Sequence, residues 1–435
     1  MKVNLKTLGC RLNEAESESW ANQFQLAGHS IVRSPGEADL IVLNTCAVTN
    51  EAERKSRQMI RRLNRANPGA KLVVSGCYAT LQAEQAAAEL GVDLVILNQD
   101  KHRLVDRVKE RVIPEAMPIA AEEHARASLF QRGRQRAFVK VQDGCRYRCT
   151  FCIVTVARGE EKSRPVDSIV DEIKRLHAQG IQEVILTGVH LGGYGIQFGI
   201  GLDRLIREIL DGTEIPRIRL GSLEPWDIPD SFFKLFEDSR MMPHLHLPLQ
   251  SASDSVLRRM ARRCKAGDFM RLAERARSEV ADINLTTDIL VGFPGETEQE
   301  WRESLANIEK IGFAQIHIFT YSQRPGTKAA GFANQVSHAE KKRRSQALHE
   351  LSESMKNSTM KRYLGRQFPV LWEVSPDDPA CTDNSVGGYT PNFLRVSVPA
   401  MPGLENSIRR VLLTGILDSG SGFQGQIQTQ DSTRP

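Results

Sequence analysis

Residues 141–159 read VQDGCRYRCTFCIVTVARG, and three of them, Cys145, Cys149 and Cys152, stand in the spacing C-x-x-x-C-x-x-C. The run just before, 137–141, is strand-like, so the three cysteines fall on one short loop after a strand. Three thiolates this close suit three corners of an iron–sulfur cube. The loop offers no fourth cysteine or histidine, so one iron would stay open to a small-molecule ligand. Zinc is the rival occupant, but structural zinc takes four protein ligands. The nearest histidines in the sequence, His124 and His177, lie well outside the loop.

The pattern C-x-x-x-C-x-Φ-C, with aromatic Phe151 before the last cysteine, resembles the radical S-adenosylmethionine (SAM) signature. The resemblance implies a 4Fe–4S cluster whose open iron chelates the amino and carboxylate groups of SAM, with Phe151 near the adenine. Thr155 stands where relatives usually have proline, which touches the loop's exit and leaves the cysteines alone.

A chain of 435 residues predicts two or three domains with room for buried cores. Hydrophobic residues at 40% and charged residues at 26% fit an ordinary globular protein rather than a disordered or membrane chain. A net charge of +5 permits an anionic partner without demanding one. Apolar runs such as 40–43 and 72–74 are strand-sized, far short of a membrane span. The start, MKVNLKTLGC, lacks the apolar core of a signal peptide, so a cytoplasmic protein without a membrane partner is expected. With no export signal, the eight cysteines read as ligands or buried thiols rather than disulfides. Cys264 and Cys381 stand alone and read as structural.

Residues 1–126 alternate strands with helices, which predicts a doubly wound α/β domain. The strand-like runs 3–8, 39–43 and 71–74 each end just before a cysteine: Cys10, Cys46 and Cys77. In a parallel doubly wound sheet those ends share one edge, where ligands bind, so cysteines far apart in sequence meet in space. A second cluster site, again one ligand short of closure, follows from that placement; Asn13 and Asn44 are candidates to donate to its sulfurs. Residues 80–90 read as one Ala- and Gln-rich helix. The basic helix at 51–65 reads equally as a solvated face or an RNA contact. TLGCRLNEAESE, LNTCAVTNEAERK and SGCYA resemble the amino-terminal domain of the radical SAM methylthiotransferases.

After a polar linker at 114–134, residues 131–364 hold six strand candidates alternating with helices. Without a closing pattern they predict a partial (β/α) barrel with its chemistry at the carboxyl ends of the strands. By resemblance to the radical SAM family, those ends place Gly188 near the methionine of SAM, Ser222 and Glu224 near its ribose and Gln250 near the reacting centre. Gly292 and Phe293 would lie near the adenine. His190, His244 and His246 invite a metal reading, but no third ligand at fitting distance is evident, and core or solvated histidines are the expectation. The run 341–344 reads as a solvated helix face.

In 365–428 the periodicity switches to two, and Gly387-Gly388, Pro402-Gly403 and 419–422 read as turns, predicting a small antiparallel β-barrel. GGYTPNFLRVSV resembles a TRAM domain, which implies RNA binding; a structural cap is the plainer reading. The end of the chain, 424–435, is polar and expected to be disordered, with 429–435 a tail beyond the module.

The resemblance spans nearly the whole chain. It implies insertion of a methylthio group into an unactivated C–H bond, with SAM as both radical source and methyl donor, two 4Fe–4S clusters, and an electron donor such as a flavodoxin or ferredoxin. TLGCRLNEAESE, KVQDGC and LTGVHLGGYG resemble most the branch acting on N6-threonylcarbamoyladenosine at position 37, in the anticodon loop of tRNA. The branches acting on isopentenyladenosine, or on an aspartate of a ribosomal protein, are the alternatives within the family. A metal-stabilised RNA-binding protein is the alternative outside it. Arg263 and Arg324 are candidates to meet the threonylcarbamoyl group, because each follows a strand-end motif.

Overall fold

A computed structural model of the chain describes residues 1–89, 91–112, 135–373 and 385–428; Cys381, His124, the linker and the terminal 429–435 lie outside the described residues. Five strands come first: β1 (Lys2–Thr7), β2 (Ser30–Ile31), β3 (Leu40–Thr45), β4 (Lys71–Gly76) and β5 (Leu94–Ile96). They form one parallel sheet in the order β2-β1-β3-β4-β5. β3 is buried along its whole length, as a central strand covered on both faces must be. On one face α1 (Arg11–Leu26) and α5 (Leu104–Arg111) pack Trp20, Phe24, Leu104 and Val108 onto the sheet. On the other, α2 (Asn50–Ala66) contributes Ile60 and Leu63. The strand order reverses between β1 and β3, the switch point at which doubly wound sheets open a crevice beyond their carboxyl ends. Residues 80–90 are not one helix: α3 (Cys77–Leu81) starts on the cysteine itself, and α4 (Ala83–Ala88) follows a break at Gln82, whose φ of −132° and ψ of 50° leave the helical region.

The central part carries β6 (Arg136–Lys140), a small ladder of β7 (Gln142–Asp143) with β8 (Lys162–Ser163), then β9 (Glu183–Thr187), β10 (Arg217–Leu220), β11 (His244–His246), β12 (Asn284–Val291) and β13 (Gln315–Thr320). Six of these are parallel, in two three-stranded sheets, β10-β9-β6 and β11-β12-β13. Single bridges, Ile218 to Met241 and Ser222 to His246, join the sheets into a partial barrel. The helices are α6 (Val154–Arg158), α7 (Val166–Ala178), α8 (Leu202–Gly212), α9 (Asp254–Arg259), α10 (Ala266–Glu279), α11 (Glu298–Ile311) and α12 (His338–Tyr363). Alternate strand residues, among them Val184, Leu186, Ile218, Leu220, Leu245 and Leu285, share one core with Ile173, Leu205, Ile209, Phe269 and Ile308 of the helices. The opposite strand face, toward the lumen, carries polar and charged side chains.

The run 341–344 is not simply a solvated face. Arg344 is 4% exposed and pairs with Glu296 at 2.9 Å, and Lys341 donates to the Tyr321 carbonyl at 3.0 Å. These side chains fasten α12 to the loop after β12 and to the end of β13.

The last part is a closed barrel of β14 (Gln367–Glu373), β15 (Ser385–Tyr389), β16 (Arg395–Pro399), β17 (Ile408–Ile416) and β18 (Phe423–Ile427), ordered β14-β15-β16-β18-β17. It departs from the expected pattern in three places. The β16–β18 pair is parallel. Gly387-Gly388 lies inside β15 rather than in a turn, because a Cβ on Gly388 would come 2.6 Å from the Leu371 carbonyl, so only glycine lets β14 approach. Residues 424–427 belong to a strand, anchored by the fully buried Phe423.

This barrel closes the floor of the central one. Arg136 makes two bonds to Glu373, at 2.7 and 2.8 Å, and Arg217 donates to the Pro369 and Tyr389 carbonyls at 2.6 and 3.1 Å. Arg219 binds Glu183 at 2.8 Å and the Pro391 carbonyl at 2.9 Å. Burial alone would raise the Glu183 carboxyl; Arg219, Arg136 and Arg217 bring it to about 2.

Candidate active site

Cys145, Cys149 and Cys152 are half-buried on the loop beyond β6 and β7. Burial first, and neighbouring cysteines of the loop second, push the Cys145 thiol up to about 11 and the Cys152 thiol up to about 12. Such thiols stay protonated and inert until something pays their desolvation, which is what a bound cation does. Gln142 braces the loop, donating to the Asp143 and Gly144 carbonyls at 2.9 and 2.7 Å and accepting from the His190 amide at 2.8 Å.

Two side chains stand beside this triad: Arg262, which sequence reasoning missed, and His190, a core histidine whose partners it did not place. Arg262 donates to Glu224 at 2.7 Å, lies 3.9 Å from the Cys149 sulfur and stacks over Trp226 at 4.4 Å. Its only signal in the sequence was a place in a basic run after α9. His190 is neither free nor solvated: its Nδ1 faces Glu161 and its Nε2 faces Asp227 at 2.5 Å. Burial lowers its pKa, but hydrogen bonds to both carboxylates outweigh that and raise it. Cys145, Glu161 and His190 would form a three-ligand cluster, but both imidazole nitrogens are already committed, which argues against zinc at this loop.

The strand-end residues fall around the same mouth. Gly188 faces Gln142, whose Oε1 would lie 2.8 Å from any Cβ there, so the glycine makes room for the loop brace. Ser222 is exposed past β10, and Glu224 is held by Arg262. Gln250 has φ 73°, a strained left-handed conformation for a non-glycine residue, held between the Asp288 carbonyl and the Leu290 amide at 2.8 Å each. Gly292 donates its amide to Glu296 at 2.8 Å. Phe293 is fully buried in a cluster with Val256, Met260, Tyr321 and Ala329, against which Phe151 packs. The Phe293 ring therefore backs the wall, and only its backbone can face a ligand.

Cys10, Cys46 and Cys77 come together at the switch point. Gly9 has φ 100°, and a Cβ there would lie 2.8 Å from the Cys46 sulfur, so the β1 end passes directly over that thiol. Burial, with Cys77 and Cys10 adding to it, pushes Cys46 up to about 11. Asn13 and Asn44 do not donate to these sulfurs. The Asn13 amide donates to the Leu8 and Thr45 carbonyls at 2.7 and 3.1 Å, and Asn44 donates to the Asn13 carbonyl at 3.0 Å and to Glu16 at 3.2 Å. Both close the loops instead. The amide that does approach a sulfur is Asn98, 3.8 Å from Cys77.

One short helix joins the two triads. α6 leaves Cys152, packs Ala157 against Cys77 and Tyr78, and ends in Arg158, whose side chain is 3% exposed. Arg158 binds Glu16 and Asp143 at 3.0 Å each and Asn13 at 2.7 Å. Lys101 reaches Glu16 at 2.5 Å from the other side, and Lys140 at 3.2 Å. Burial pushes the Glu16 carboxyl up; Lys101, Arg158 and Lys140 outweigh it and hold the group well below the usual carboxylate range. Arg324 is spent elsewhere, pairing with Glu53 at 2.9 Å and with Asn50 of α2. Arg263 lies exposed over Tyr147 at 4.7 Å.

A partial parallel barrel with three cysteines at the carboxyl ends of its strands defines a radical SAM protein, and the sheet in front of it adds a second cysteine triad. Residues 139–308 match the radical SAM superfamily, and residues 2–97 match the uncharacterized protein family UPF0004. The threonylcarbamoyladenosine tRNA methylthiotransferase MtaB of Thermotoga maritima is 36% identical over 85% of this chain and 86% of its own. The tRNA-2-methylthio-N(6)-dimethylallyladenosine synthase of Jannaschia sp. is 35% identical over 87% of this chain and 85% of its own. The chain belongs to the radical SAM methylthiotransferase family, enzymes that transfer a sulfur-containing group. In fold it is similar to the radical SAM methyltransferase TsrM of Kitasatospora setae, with a TM-score of 0.55 at 15% identity over 75% of this chain and 76% of that one. Among the described residues no helix is long and apolar enough to cross a membrane.

Proposed function

We propose that this enzyme places a methylthio group on C2 of N6-threonylcarbamoyladenosine at position 37 of tRNA. The observation that carries the reading is the pair of cysteine triads flanking α6, each one ligand short of closing a cluster site. The residues fit two 4Fe–4S clusters: each triad gathers three thiols, and the nearby Glu161, Asp227, His190 and Glu16 are already paired. Held there with SAM, such clusters supply radical formation at Cys145, Cys149 and Cys152 and sulfur at Cys10, Cys46 and Cys77.

The chain's own part is alignment and exclusion of water. Arg262 holds Glu224 near the first triad, where the carboxylate would be available to a ribose hydroxyl. Gln250, fixed in its strained conformation, presents its amide beside the strand ends. Gly188 and Ser222 would complete a rim for SAM, with the backbone of Gly292 and Phe293 and the ring of Phe151 as candidates to meet its adenine. Arg158 keeps α6 seated on the amino-terminal sheet, which sets the two triads across one gap. An anticodon loop suits that gap because its bases can be splayed out and stacked. The carboxy-terminal barrel would bind RNA on its outer face while its inner side closes the barrel floor. A flavodoxin or ferredoxin would supply electrons, and the setting would be the cytoplasm.

Four of the relatives compared bear the threonylcarbamoyladenosine name, and this supports that nucleoside over isopentenyladenosine. The test offers the reconstituted enzyme two tRNAs, one with each modification, and looks for the methylthio product by mass spectrometry. Product from the threonylcarbamoyl tRNA is expected; product from the isopentenyl tRNA alone would refute the assignment.

A further inference from the structure

The lumen of the partial barrel is lined in layers. Register pairs Arg136 and Arg217 with Glu183 at the floor, and Phe138 and Arg219 with Ile185 one layer up. The facing wall brings His244, His246, Thr286, Asp288 and His317 inward. Each floor arginine has its counter-charge or carbonyl: Arg136 has Glu373, Arg217 has Pro369 and Tyr389, and Arg219 has Glu183.

Arg11 does not. It is the first residue of α1, directly after Cys10, and its side chain reaches Phe138 of β6 and the floor charges Arg136, Arg219 and Glu183 from the amino-terminal domain. Its guanidinium lies 6.0 Å from the Phe138 ring centroid and 5.7 Å from that of Phe393. Among the described residues it makes no hydrogen bond and no ion pair. The charges felt most strongly there are Arg136 and Arg219, of its own sign, ahead of Glu14 and Glu183. His244 and His317 feel its field, so they border the same space. Asp288 is already taken by His246 at 3.2 Å.

A half-buried guanidinium without a counter-ion, facing cations of its own sign, is a cost that a bound anion removes. Its planar fork matches a carboxylate in two parallel bonds. Its place follows from the chain: Cys10 lies beside Cys46 at the sheet edge, while the next residue, Arg11, reaches Phe138 and Phe393. On adenine, C2 and the N6 substituent also point to different sides of the ring. A base whose C2 faces the triads therefore directs its N6 substituent down the lumen.

We propose that Arg11 is the receptor for the carboxylate of the threonylcarbamoyl substituent, and so decides which N6-modified adenosine the enzyme accepts. The assignment rests on the substrate reading above. An apolar N6 group in the same place would leave the guanidinium unpaired, and a site built around a buried polar group rejects a ligand that cannot satisfy it.

The test uses full-length reconstituted enzyme and one tRNA in two forms. One bears native N6-threonylcarbamoyladenosine; in the other the carboxylate is converted to the primary amide by carbodiimide coupling with ammonia. Binding is measured by fluorescence anisotropy without SAM or reductant, and kcat/KM is measured separately. The wild-type enzyme should prefer the carboxylate by about tenfold or more in both measures. In Arg11→Gln that preference should shrink to less than about threefold, and Arg11→Lys, which keeps the charge without the fork, should fall between. A merely structural Arg11 would weaken both tRNAs by one factor and leave the ratio standing, which overturns the proposal. So does a wild-type enzyme that makes product without any carboxylate preference. If the wild-type enzyme makes no methylthio product from the native tRNA, the substrate reading itself falls, and the receptor with it.

Discussion

The two cysteine triads are built in opposite ways. Cys145, Cys149 and Cys152 lie within one loop, so their closeness is local and survives as long as that loop is held by Gln142 and Gly144. Cys10, Cys46 and Cys77 are brought together only by the sheet order, at the switch point between β1 and β3 and at the end of β4. The first is a property of eight consecutive residues; the second is a property of the fold. What lies between them belongs to neither: Arg158 leaves the loop side and is satisfied by Glu16 and Asn13 of α1 together with Asp143. A local site and a topological one thus share one buried cation.

That shared cation gives the largest expected effect. Arg158→Ala leaves the buried Glu16 to Lys101 and Lys140 and the half-buried Asp143 to Lys140. Breaking a buried ion pair typically costs about 3–5 kcal/mol, and with these cations still in place the loss should sit at the lower end. Chemical unfolding should show a loss of that order. Iron analysis should show the dispersed triad losing metal before the loop triad, whose neighbours stay in place. Equal loss from both sites, or none, would mean the two triads are not linked in this way.

The difference in construction also explains what could be read from sequence. The loop triad was legible from spacing alone, and the dispersed triad from the rule that strand ends of a parallel sheet share an edge. The partial barrel was legible from strand–helix alternation. The pairings were not. Nothing in the sequence says that Arg344 is buried on Glu296, that Arg324 is spent on Glu53, or that Asn98 rather than Asn13 or Asn44 approaches a sulfur, because each depends on residues brought close only by tertiary packing. The two glycines of β15 misled for the same reason: glycine marks a close approach as readily as a turn, and only the position of Leu371 decides.

The barrel floor offers a control on the comparison, being a charged cluster that contains none of the six cysteines. Glu183 is held to about 2 against an ordinary 4.5, so its contribution is fully present above pH 4.5 and is lost as the pH falls toward 2. The shift corresponds to stability on the order of 3 kcal/mol. The stability gap between wild type and Glu183→Gln should therefore be largest near neutrality and narrow on acidification, with iron content unchanged at neutral pH. A gap independent of pH would remove Glu183 from the account of how the two barrels are joined.

The smallest effect is expected at Cys264, which is buried in the barrel core and whose thiol donates only to the Lys265 carbonyl at 3.3 Å. Cys264→Ala should cost about 1 kcal/mol in thermal unfolding, the scale of a small buried side chain, and leave both triads able to bind iron. Loss of a cluster in that variant would break the division of the cysteines into ligands and packing residues.

The central proposal is that the chain offers two separable iron–sulfur sites, one local and one made by the fold. Iron and acid-labile sulfide, counted after anaerobic reconstitution of the Cys145→Ala, Cys149→Ala, Cys152→Ala triple variant, test it most directly. With the loop triad gone, the sheet-edge triad should still hold about four irons per chain. A triple variant that takes up no iron would contradict the claim and leave Cys10, Cys46 and Cys77 as three buried thiols at a strand edge.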